Sequence, residues 1–120
     1  LGQDPAAVFK TLVARGASNG IYVFVVPVEE SLDLKKAAKA VGEKSIAMVH
    51  VSEINGLTGY VRGGCSPVGM KKLYPTVFHL SALDHEVIMV SAGKIGWQVA
   101  LAPQALMDLV RGKAADIIVG

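Results

Sequence analysis

An oxygen atom that carries charge is best held by main-chain N–H groups inside a positive field, and residues 60–72 of this 120-residue chain offer both. The stretch reads Tyr-Val-Arg-Gly-Gly-Cys-Ser-Pro-Val-Gly-Met-Lys-Lys. Gly63 and Gly64 allow close approach of another molecule to the backbone, while Pro67 fixes its own φ and pushes Ser66 towards an extended conformation. Arg62, Lys71 and Lys72 flank the loop, so an anionic or carbonyl-bearing ligand would meet fixed dipoles and cations together. A glycine-rich turn with a solvated basic edge uses the same residues, and composition does not separate the two readings.

The second candidate is Lys10. Alternation over residues 8–14 predicts a strand with Val8, Lys10, Leu12 and Ala14 on one face and Phe9, Thr11 and Val13 on the other. Lys10 therefore shares a face with apolar neighbours. It is either an edge-strand lysine that snorkels to water or a partly buried ammonium held for an anionic ligand.

Other chemistries fail on spacing. A phosphate-binding P-loop needs glycine directly before lysine, whereas Met70 separates Gly69 from Lys71 and Pro67 lacks an N–H. Gly93-x-x-Gly96 is too small a piece of a dinucleotide fingerprint. His50, His79 and His85 lack the i, i+4 spacing of a helical zinc site, so neither a metal nor a cofactor is expected. Cys65 is either a nucleophile favoured by nearby amides or a small side chain packed under the loop, and no histidine signature accompanies it. No Gly-x-Ser-x-Gly elbow occurs.

The elements that must position these groups follow from periodicity. Asp4-Pro5 predicts a short helical turn, residues 15–20 a hairpin loop, and residues 21–26 a buried central strand ended by Pro27. Ser31 or Asp33 caps a helix with Leu34, Ala37, Ala38 and Val41 on one face, Lys35, Lys36 and Lys39 in solvent, and Gly42 as its stop. Strands are expected at residues 45–51, 75–80, 86–90 and 97–101, with a single helical turn at 52–55. Pro103 opens a last helix presenting Ala105, Leu106, Leu109 and Val110, with Gly112 as its stop, and residues 116–119 form a terminal strand. Hairpin-length connections favour an α+β fold whose sheet is mainly antiparallel.

A chain of this length with 52% hydrophobic residues forms one domain, residues 1–120, with a real core. The net charge of +2 is too small to diagnose nucleic acid by itself. The single cysteine excludes an intrachain disulfide, and no apolar run approaches a membrane span. A cytoplasmic location is expected.

Val8-Phe9-Lys10-Thr11-Leu12, Val26-Pro27, Leu57-Thr58-Gly59-Tyr60-Val61, Gly63-Gly64-Cys65-Ser66-Pro67-Val68-Gly69, Val90-Ser91-Ala92-Gly93 and Ala115-Asp116-Ile117 occur in order. Together they resemble the YbaK family of aminoacyl-tRNA deacylases, which is related to the editing domain inserted in bacterial prolyl-tRNA synthetases. The resemblance implies a curved, mixed but mainly antiparallel sheet with surrounding helices, and hydrolysis of the ester joining a wrong amino acid to the tRNA 3′ end. Within the family, the sequence at residues 90–93 lies closer to the Cys-tRNA(Pro) deacylase subgroup than to the alanine-editing branch.

By the same resemblance, Lys10 corresponds to the indispensable lysine, and Gly63 with Pro67 forms a Gly-x-x-x-Pro loop in which the amides of Gly63, Gly64 and Cys65 meet the oxyanion. Thr11, Cys65, Ser66, Pro67, Ser91, Ala92, Gly93 and Asp116 would shape the substrate pocket. Arg62, Lys71, Lys72 and Lys94 would contact the acceptor-end phosphates. The substrate's own thiol is implied as the nucleophile, giving a thiolactone. The implied partners are mischarged tRNA and a prolyl-tRNA synthetase, and a non-catalytic module that holds RNA ends on a synthetase is the alternative. The family also has a further N-terminal segment before Val8, whose strand, helix and share of the pocket are expected to be missing from residues 1–120.

Overall fold

The computed structural model describes residues 5–61 and 64–120. A 3-10 turn, Pro5–Ala7, leads into β1 (Phe9–Gly16), which pairs antiparallel with β2 (Ile21–Pro27) in the register Lys10↔Val26 and Leu12↔Phe24. Then come α1 (Leu34–Val41), β3 (Ile46–Met48), α2 (Val51–Thr58), β4 (Thr76–His79), β5 (Ile88–Ser91), β6 (Gln98–Leu101), α3 (Pro103–Val110) and β7 (Lys113–Ala115). A second 3-10 turn, Leu80–Asp84, follows β4. The main sheet runs β3-β1-β2-β4-β7, and β5-β6 form a separate ribbon. Pairing is antiparallel for β1 with β2 and β3 and for β5 with β6, and parallel for β4 with β2 and β7. The α+β class and the mixed, mainly antiparallel pairing agree with the expectation.

β2 is apolar along its length because both its faces are covered. Val23 and Val25 pack with Phe78, Leu106, Met107 and Val110 beneath α3, whereas Phe24 and Val26 pack with Ala37, Ala38 and Ile117 beneath α1. Burying each large side chain contributes roughly 1.5–3 kcal/mol, so this strand anchors both layers. A smaller cluster of Val13, Val49 and Cys65 packs with Ile54 and Leu57 of α2 and with Tyr60 and Met70. The helix α1 has the expected limits: the Asp33 side chain accepts from the N–H groups of Lys35 and Lys36, and Gly42 closes it in the left-handed region at φ 73°.

Several expectations are corrected. The turn expected at 52–55 is a two-turn helix from Val51 to Thr58, which shortens the preceding strand to Ile46–Met48. α3 ends on Arg111 at φ 54°, a non-glycine in the left-handed region, and its buried residues are Pro103, Leu106, Met107 and Val110, with Ala105 and Leu109 exposed. The last strand is Lys113–Ala115, because these residues pair with Val77, Phe78 and His79, while Ile118 makes only an isolated bridge to Leu32. Lys36 is not a solvated residue, since its Nζ donates to the Asp116 carboxylate and to two carbonyls. No helix among the described residues is long and apolar enough to cross a membrane.

Candidate functional site

A hollow of about 760 Å³ opens where β1 changes partners. β3 pairs with β1 only at Ala14–Gly16, and at the other end Val8 bridges Met89 of β5. Val8 O accepts from Val28 N on the β2 side at 2.8 Å, and Val13 O accepts from Val49 N on the opposite side at 3.2 Å. Main-chain groups alternate in direction along a strand, so those of Thr11 face away from β2, into the gap between β5 and Val49. Thr11 also lines this hollow, and its hydroxyl is a buried oxygen with no hydrogen-bond partner.

The same cavity is lined by Lys10, Cys65 and Ser91, with Trp97 and Gln98 on its far rim. The Lys10 ammonium reaches the Val28 carbonyl at 3.4 Å. Of the expected site residues, then, Lys10, Thr11, Cys65 and Ser91 come together around one hollow. In the sequence, Trp97 and Gln98 carry only the pattern of a strand over 97–101. Their place on the rim depends on how the β5-β6 ribbon docks against β1, which local pattern does not encode.

The glycine-proline loop is built from its own hydrogen bonds. Lys71 N–H donates to Thr58 O at 3.0 Å and closes its base, while Tyr60 spans it, donating from its hydroxyl to Val68 O at 2.5 Å. Ser66 is buried, and its Oγ accepts from Val68 N at 3.2 Å, so its hydroxyl shapes the turn. Gly64 N–H donates to Val61 O at 3.0 Å. A Cβ on Gly64 would lie 3.1 Å from Ile95 N and 3.2 Å from the Lys94 carbonyl carbon, so this glycine lets the β5-β6 turn pack directly on the loop. Gly93, at φ 96°, does the same from the other side, against the Tyr60 ring. Gly63 and Arg62 lie outside the described residues.

Other expected residues are placed elsewhere. Pro67 and Lys72 line a separate hollow of about 260 Å³ against α3, and the Lys71 side chain packs along Gly59. Ala92 is exposed, with its N–H on Trp97 O at 2.8 Å. Lys94 sits beside the rim, its Nζ 5.9 Å from the Trp97 ring centroid. Asp116 belongs to a cluster below α1, where its carboxylate meets Lys36 Nζ at 3.0 Å and lies 3.8 Å from His79 Nδ1. Lys36 holds that carboxyl below its usual range.

Burial pushes the Cys65 thiol up, with a hydrogen bond to Thr58 opposing less strongly, so it stays protonated near neutrality. That disfavours it as a nucleophile. No cluster of three or more His, Cys, Asp and Glu that could hold a metal occurs among the described residues. The site therefore offers a cation, a buried hydroxyl and main-chain groups in a cleft of the size that takes small ligands, which suits binding and polarising a carbonyl.

A family model described as an aminoacyl-tRNA editing domain matches residues 1–109. A candidate Cys-tRNA(Pro)/Cys-tRNA(Cys) deacylase of Enterococcus faecalis, EbsC, is 48% identical over 117 residues, covering 98% of this chain and 71% of its own. The crystal structure of a candidate trans-editing enzyme for prolyl-tRNA synthetase superposes with a TM-score of 0.90 at 28% identity, over 99% of this chain and 74% of that one. A scaffold used for presenting grafted linear epitopes superposes at 0.92 with 27% identity, over 99% and 76%.

Proposed function

The chain belongs to the aminoacyl-tRNA editing domain family, and from that premise we propose that it deacylates mischarged tRNA, with Cys-tRNA(Pro) as its substrate. The observation that carries this reading is the single hollow shared by Lys10, Thr11, Cys65 and Ser91. The aminoacyl ester enters it along the open edge of β1. Lys10, whose described hydrogen bond is one long contact to a carbonyl, turns to the ester or the adjoining ribose and phosphate. Because the Gly64 amide is already bonded to Val61, the Cys65 N–H is the loop donor we assign to the oxyanion.

No nucleophile is asked of the protein. The substrate's cysteine sulfur attacks its own ester carbonyl, the bond from that carbon to the ribose oxygen breaks, and the thiol proton passes to the ribose oxygen. The products are a thiolactone and free tRNA. The chain's work is to position and polarise, which suits a buried Cys65 that remains a thiol. Arg62, Lys71, Lys72 and Lys94 are assigned to the acceptor-end phosphates, and prolyl-tRNA synthetase to delivery of the substrate.

Deacylation of Cys-tRNA(Pro), Ala-tRNA(Pro) and Ser-tRNA(Pro) by wild type and Lys10→Ala tests the proposal. Cys-tRNA(Pro) alone is expected to be cleaved, because serine lacks the thiol, and Lys10→Ala is expected to be inactive. Equal rates for wild type and variant would overturn the role of Lys10. RNA binding without hydrolysis of any charged species would select the non-catalytic module instead.

A further inference from the structure

Trp97 sits on the cavity rim with 67% of its surface exposed. An indole left in water forgoes most of the stabilisation its burial would bring. Its backbone is fixed at both ends: Trp97 O accepts from Ala92 N at 2.8 Å, and Trp97 N donates to Lys94 O at 3.1 Å. The turn that carries it is seated on the glycine loop through Gly64. The indole thus stands on a braced support, with the Lys94 ammonium over one face of the ring, 5.9 Å from its centroid, and the residue otherwise largely exposed. A flat aromatic face paired with a cation is the combination that takes an unstacked base and its phosphate.

We propose that Trp97 is the stacking platform for the 3′-terminal nucleobase of the aminoacylated RNA, with Lys94 on the adjoining phosphate. This rests on the deacylase reading, because an ester held inside the cavity is covalently tied to a terminal nucleoside that must then lie at the mouth, where Trp97 is.

The chain has one tryptophan, so its emission reports on this position directly. Titration with an uncharged RNA minihelix ending in single-stranded CCA is expected to quench that emission, and the same minihelix with an abasic terminal ribose is not. In steady-state deacylation, Trp97→Ala is expected to raise KM roughly tenfold, and Trp97→Phe to recover most of the loss. Their kcat should stay within about twofold of wild type. Equal emission changes with the two RNAs, or an unchanged KM in Trp97→Ala, would overturn the platform. Hydrolysis with an unaffected KM removes the platform and leaves the deacylase reading standing. Base-dependent quenching without hydrolysis of any mischarged tRNA does the reverse.

Discussion

Lys10 and Lys36 sit in two regions of the same fold and are treated in opposite ways. Lys36, on α1, donates to Asp116 at 3.0 Å and to the carbonyls of Ile118 and Gly120 at 2.9 Å each, so all three of its protons are committed. Lys10, on β1, meets one carbonyl at 3.4 Å, and no carboxylate among the described residues pairs with it. The region under α1 is closed: its ammonium ties the C-terminal segment to the helix. The cavity region is open: its ammonium, the Thr11 hydroxyl and the outward edge of β1 have yet to spend most of their hydrogen-bonding capacity. A committed cation holds a fold together, and an uncommitted one beside a hollow is available to a ligand.

Exchanging the two lysines for apolar residues should separate these roles. Lys10→Ala is expected to lower deacylation about a hundredfold or more while shifting unfolding free energy by under about 0.5 kcal/mol. Gly64→Ala comes next. Its Cβ would press on the main chain of Lys94 and Ile95, which cannot swing aside as a side chain would, so we expect a loss of about 1–3 kcal/mol and displacement of the cavity rim. Gly56→Ala is the control: apart from its own stretch of helix nothing lies within 4 Å of its added Cβ, and helix propensity there favours alanine by up to about 1 kcal/mol. Lys36→Met should cost about 1–2 kcal/mol, a modest figure because Asp116 is half exposed, and leave the rate per folded molecule unchanged. Urea denaturation beside deacylation assays checks all four; a Lys10→Ala variant as unstable as Lys36→Met would erase the contrast.

What sequence conveyed was local. The limits of α1 could be read because Asp33 and Gly42 act within one turn of the helix they cap. The alternation of β1 was equally readable, with Phe9 beneath α3 and Ala14 beneath α1. β7 was misplaced by three residues because the apolar run Ile117-Ile118-Val119 looks more strand-like than Lys113-Ala114-Ala115, yet only the latter meets β4 in register. The parallel pairings of β4 depend on long connections and were hidden for the same reason. In the site, Lys10 and Cys65 stand out from the residues themselves and Thr11 and Ser91 from the family pattern, and all four line one cavity. Trp97 and Gln98 needed the docking of a ribbon from residues 88–101 onto residue 8, a contact with no local signal.

The smallest expected effect tests the closed region through its proton balance. His79 is buried below α1, and its Nδ1 accepts the Ile117 N–H at 3.3 Å, which a protonated Nδ1 could not do. Burial holds its pKa below the ordinary 6.5, and the Asp116 charge opposes this less strongly. The folded state thus resists a proton that the unfolded chain accepts near pH 6.5, so stability is flat above that pH and falls as pH drops through it towards the lower folded value. Glu43, held down by Ser18 and Tyr22, Glu53, held down by Arg15, and Asp116 also favour the folded state, but their contribution is lost only at lower pH, below the ordinary carboxylate values near 4. Between pH 7.5 and 5.5 the decline therefore belongs to His79, and one such group can contribute at most about 1.4 kcal/mol over that window. His79→Asn keeps an acceptor for Ile117 but takes up no proton, so its unfolding free energy should be level across that window. If the variant loses stability as steeply as wild type, the proton is going elsewhere and His79 is not the group that makes the closed region sensitive to acid.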